Sequence, residues 1–123
     1  MENPEPRIRL IATIALGDIA DPQTVKALKK ALHDSEPNVQ WDAAIALAKM
    51  KDLSGRDILL KLLDRGYLSK FPEVDSQEQS HILLTAIDVA AKLNDKELKN
   101  AILRLAQNDQ NMNVRTAALT ATK

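Results

Sequence analysis

Cysteine is absent from this 123-residue chain, and disulfides, thiolate metal sites and thiol nucleophiles go with it. The absence fits a reducing compartment. Glycine is nearly as scarce: Gly17, Gly55 and Gly66 are the whole set, so there is neither a phosphate-cradling glycine loop nor a G-x-S-x-G nucleophile elbow. The two histidines, His33 and His81, lie far apart without any spacing that would ligate zinc. Aromatics amount to 2%, namely Trp41, Tyr67 and Phe71, which argues against a sandwich or barrel built on aromatic and β-branched strands. Neither sign of charge prevails, with 17 basic and 17 acidic side chains, whereas a dedicated nucleic-acid binder carries a basic excess. No apolar run approaches the ~20 residues of a membrane span, and MENPEPRIRL lacks the basic-then-apolar build of a secretory signal. The expectation is a cytoplasmic, non-catalytic protein that needs no cofactor or metal.

What is present is a repeated phrase. EPRIRLIATIALGDIAD, residues 5–21, returns 31 positions later as EPNVQWDAAIALAKMKD, residues 36–52, with seven of 17 positions identical. A third copy, ILLTAIDVAAKLND, aligns its Asp95 with Asp52 at an offset of 43, and a fourth, NMNVRTAALTATK, aligns Val114 with Val39. The apolar residues of each phrase recur at helical spacing. Each of the first three is followed by a second helical stretch: TVKALKKALHD, RDILLKLLDR and KELKNAILRLA. The phrases are termed A helices and the stretches that follow them B helices. Repeats then span roughly 5–35, 36–75, 76–110 and a partial 111–123 within one domain.

Helix boundaries are written in side-chain chemistry. Asp21-Pro22 reads as an N-cap followed by proline at the first helical position. Asp52 with Ser54, and Asn94-Asp95, supply acceptors for free N–H groups at later starts, and Ser76-Gln77-Glu78-Gln79 matches a capping box. The second A helix carries Val39, Ala43, Leu47 and Met50 on one side, with Trp41, Ala44, Ile45 and Ala48 on another. A lone surface helix buries one stripe; two apolar faces require neighbours on both sides, as in stacked repeats. Trp41 aligns with Leu10 and Leu84, so packing explains it better than a stacking platform for bases.

The phrase V-x-x-x-A-x-x-A-L-x-x-(I/M)-x-D, carried by Val39, Ala43, Ala46, Leu47, Met50 and Asp52 and again by Ile8, Ala12, Ala15, Leu16, Ile19 and Asp21, resembles HEAT repeats of the short bacterial type first described in phycobilin lyases. The resemblance implies an all-α, right-handed α-α superhelix of three helix pairs plus one further helix. It leaves function open, because that family holds scaffolds, adaptors and some enzymes. Family repeats often place Arg after the Val; Arg9 and Arg115 match, while Gln40 and Leu83 do not.

On the B helices, Lys30, Lys61 and Arg104 occupy one equivalent position, beside a second shared by Lys29, Leu60 and Leu103. The resemblance implies a concave face lined by B helices. Cations beside leucines there read as a docking strip for an acidic, partly apolar protein segment, with Lys26, Lys29 and the 66–75 loop at its rim. The same cations pattern equally as a solubilising face. The second connection is 12 residues longer than the first and contains Tyr67 and Phe71, which either contact a partner or seal the core on a continued B helix. The leading expectation is a protein–protein interaction scaffold or adaptor. Nucleic-acid binding through the same cations is the alternative, disfavoured by Asp57 and Asp64, and a bilin lyase-like enzyme ranks last. The chain stops in the fourth A helix, whose Val114, Ala118 and Leu119 suggest pairing of two copies through that end, and Met1 suggests a naturally short protein.

Overall fold

The computed structural model describes residues 22–122; the first phrase, with the cap expected at Asp21, lies outside them. Seven α-helices follow one another among the described residues: α1 (Pro22–Ala31), α2 (Pro37–Lys49), α3 (Arg56–Leu62), α4 (Arg65–Leu68), α5 (Ser76–Ala91), α6 (Lys96–Asn108) and α7 (Met112–Ala121). A 3-10 turn, Leu53–Gly55, leads into α3, and no strand occurs among these residues. The described residues are all-α, with helices at the second, third and fourth phrases and at each of the three stretches that follow a phrase. Its contacts gather into two compact units, Met1–Ile58 and Leu59–Lys123.

In the first unit α1 packs on α2. Leu28 and Ala31 of α1 close on Val39, Ala43, Ala46 and Leu47 of α2, with Val25, Leu32 and Met50 at the margin. Leu28, Val39 and Leu47 are fully buried. At ~1.5–3 kcal/mol each, they outweigh the exposed Lys29–Asp52 pair, whose Nζ and Oδ2 stand 3.9 Å apart; such surface pairs contribute ~1 kcal/mol at most. Trp41, Ala44 and Ala48 are buried as well, so α2 is covered on both of its apolar faces.

The end of α2 is a Schellman motif. Asp52 N–H donates to the Leu47 carbonyl and Lys51 N–H to that of Ala48, both at 2.9 Å. Lys51 takes the left-handed conformation this needs, with φ of 61°, where glycine is the usual occupant. Gly55 is required for another reason. A Cβ there would lie 2.8 Å from Ala44 Cα and Cβ, so the 3-10 turn can approach α2 only without a side chain.

In the second unit α6 packs on α7, and both pack on α5. The core combines Leu83, Ala86, Ile87 and Ala90 of α5 with Leu98, Ile102 and Leu105 of α6 and Val114 and Ala118 of α7. Asp75, Asp95 and Asn111 cap α5, α6 and α7 by accepting from Glu78, Leu98 and Val114 N–H at 2.8, 3.0 and 3.1 Å. The capping box expected at Ser76 is therefore shifted back by one residue. Asp75 caps, and Gln79, placed inside, donates its amide to the Val74 carbonyl. Val114 and Ala118, expected on an open end, are fully buried, leaving Leu119 and Met112 exposed on α7.

The alternative of a second B helix continued through the aromatic stretch is corrected. The helix stops at Leu62, and Asp64 opens a new one by accepting from Gly66 N–H at 2.9 Å. The aspartate side chain competes for the N–H groups that a continuous helix would use.

Candidate protein-docking groove

The break after Leu62 turns Arg65 into the body of the second unit, where all five guanidinium donors find acceptors. Nε and Nη2 hold Asp109 Oδ1 and Oδ2 in a two-pronged pair, each at 2.9 Å. Nη2 also reaches Ser80 Oγ at 2.9 Å, and Nη1 donates to the Ser76 carbonyl and Gln79 Oε1, both at 3.3 Å. The side chains of Arg65 and Asp109 are 13% and 2% exposed. Arg115 Nη1 adds a 2.7 Å bond to the Asp109 carbonyl, and Asn111 N–H one of 3.0 Å to Oδ2. Burial pushes the Asp109 carboxyl up. Hydrogen bonds from Arg65 and Asn111, with the charges of Arg65 and Arg115, more than reverse this and hold it below the ordinary range.

This network forms one end of an open groove of about 600 Å³. One wall is Leu60, Leu63, Asp64 and Gly66; the other is Glu97, Asn100, Arg104, Leu105 and Asn108 of α6. Leu63 and Leu105 are buried, Leu60 is half-buried, and Asn100, Arg104 and Asn108 are exposed. The groove can therefore offer apolar contact at its base, with amides and one guanidinium along an edge.

Of the expected contact residues, Leu60 and Arg104 meet in this groove. Their equivalents Leu103 and Lys61 do not line it: Leu103 is 41% exposed, and Lys61 Nζ sits 5.9 Å from the Tyr67 ring centroid. The reason is geometric. A groove between two helices is walled by opposite flanks, so positions equivalent by repeat do not share it. Tyr67 and Phe71 meet edge to face at 5.2 Å, both half-buried. Lys26, Lys29 and Lys30 are exposed on α1 in the first unit. His33 and His81 are exposed, and no group of three His, Cys, Asp or Glu among the described residues could hold a metal.

The sequence reading missed Arg65 and Asp109, although a signal existed. Asp109 aligns with Asp34 at the offset relating Val114 to Val39. Asp34 behaves alike, accepting from Glu36 N–H at 2.9 Å, with its carbonyl taking the Gln40 side chain. Gln40 and Arg115 are themselves equivalent. The repeat thus carries a polar clasp at the B-to-A junction, and glutamine replaces the arginine in one copy.

Over residues 1–68, more than half its length, the sequence matches HEAT repeats. The chain belongs to the HEAT-repeat family. This HEAT-repeat protein is 25% identical to AP-1 complex subunit beta-1 of Mus musculus over 122 residues, and equally to AP-1 complex subunit beta-1 of Homo sapiens. The alignment takes in 96% of this chain and 12% of each relative. No helix among the described residues is long and apolar enough to cross a membrane.

Proposed function

We propose that this HEAT-repeat protein is a non-catalytic protein-interaction module whose docking surface centres on the groove beside α6. The observation that carries the reading is an open cleft of about 600 Å³ in which apolar Leu60, Leu63 and Leu105 lie under exposed Arg104. Apolar area with a charged rim is the make-up of protein interfaces. Lys61, Leu103, Tyr67 and Phe71 extend the contact on the same unit, and Lys26, Lys29 and Lys30 supply a second basic surface on α1. Similarity to relatives named as subunits of a complex supports a scaffold or adaptor role. On the repeated phrase we assign the chain to the short bacterial HEAT-like type, acting in the cytoplasm. Pairing of two copies through exposed Leu119 and Met112 belongs to the same reading.

Affinity capture from native lysate with nuclease present, comparing wild type with Leu60→Asp/Arg104→Glu, tests it. A protein retained by wild type and lost by the folded variant is the expected result. Equal retention by both removes the groove from the reading. Nucleic acid recovered only without nuclease would favour phosphate binding, against which Asp64 and Glu97 in the groove already weigh.

A further inference from the structure

We infer that the groove takes an extended peptide segment bearing a carboxylate at its centre. The inference rests on the docking reading and specifies its ligand. Asn100, Arg104 and Asn108 follow at four-residue steps on α6, which places them on one flank of the helix. All three line the groove and are exposed. Unlike Lys61, which lies over the Tyr67 ring, and Lys29, which pairs with Asp52, their side chains make no hydrogen bond, ion pair or ring contact among the described residues.

An asparagine amide presents a donor and an acceptor side by side, the complement of one peptide unit. The eight residues from Asn100 to Asn108 span ~12 Å at 1.5 Å per residue. An extended chain covers that in about four residues at ~3.3 Å each. Two amides at this separation can hold a peptide backbone at both ends of a four-residue stretch whatever its side chains. Arg104 stands between them, where a guanidinium selects a planar carboxylate by paired hydrogen bonds. Leu60, half-buried on the facing wall, offers apolar contact to a small residue beside the carboxylate.

The test is a library of acetylated, amidated octapeptides screened against the full chain, with hits measured by fluorescence anisotropy. Wild type should enrich peptides with one central Asp or Glu. Arg104→Glu should weaken these hits about tenfold or more. Asn100→Ala/Asn108→Ala should weaken every hit by a similar factor, about tenfold, because the amides read backbone. Enrichment unchanged by Arg104→Glu, enrichment confined to phosphopeptides, or no enrichment would each overturn the inference. The last result together with groove-dependent capture of a protein from lysate would leave the docking reading standing, whereas failure of both would remove the two together.

Discussion

Asp42 in the first unit and Asp109 in the second are both drawn away from water, and the two are treated oppositely. Asp42, half-buried on α2, is pushed up to about 6 by burial, which the charge of Lys49 only partly offsets. Asp109 is more deeply buried, yet its carboxyl is held below the ordinary range once the Arg65 and Asn111 hydrogen bonds act against burial. Depth therefore does not decide whether a buried acid is tolerated; the donors aimed at it do. Among its described residues the first unit relies on close apolar packing of α1 on α2, while the second adds a polar centre joining α4, α5 and the α6–α7 junction.

The strongest way to break this contrast is to empty the polar centre. Arg65→Met leaves a carboxylate buried without its partner and should cost about 3–5 kcal/mol, read as a fall in urea midpoint for the full chain. Arg65→Met/Asp109→Leu should recover much of that loss, since no charge is then left uncompensated. A single-variant loss well under 1 kcal/mol would show the pair to be solvated rather than structural.

A smaller effect sharpens the comparison through pH. The folded Asp42 carboxyl titrates at about 6, above its ordinary value of 3.8, so between these values the folded chain binds more protons than the unfolded one. Its contribution to stability is then highest below pH ~4 and declines as pH rises towards 6. Asp109 has the opposite sign: its contribution is present above its ordinary pKa and is lost as pH falls through the lowered one. Asp42→Asn should raise stability at pH 7 by ~1–2 kcal/mol, allowing for solvent screening of a half-buried group, and should remove the decline between pH 4 and 6. Thermal melts at intervals across that range would decide it, and an unaltered slope would refute the assignment.

The smallest effect concerns backbone. Lys51 holds a left-handed conformation at the close of α2, and Lys51→Gly relieves it. The expected gain is ~0.5–1 kcal/mol, visible as a modest rise in Tm; a loss would mean that the lysine side chain contributes packing worth more than the relieved strain.

The helices themselves were legible because repetition supplies several readings of one pattern. Val39, Ala43, Leu47 and Trp41 announce a helix covered on two sides, and all four are buried. Asp52 and Asp95 were readable as caps because the rule is local. Leu60 and Arg104 were found by repeat equivalence, but their meeting in one groove was not, since that depends on which flank each helix turns to the other. The pair Arg65–Asp109 escaped because its partners are 44 residues apart, beyond any local rule. The α5 cap falls on Asp75, one residue before the expected Ser76, with Gln79 buried rather than facing the helix start.

The Arg65 fork has a last consequence, and it is entropic. Arg65 and Asp109 both line the groove, so the bonds that join them fix the separation of its two walls at that end. Association commonly loses affinity to the ordering of mobile side chains and loops, at about 0.5–1.5 kcal/mol for each side chain immobilised. Here that ordering is already complete at folding. A ligand entering the cleft meets a wall whose shape is set beforehand at that end, and the ordering left to binding falls on exposed side chains such as Arg104 and the two asparagines.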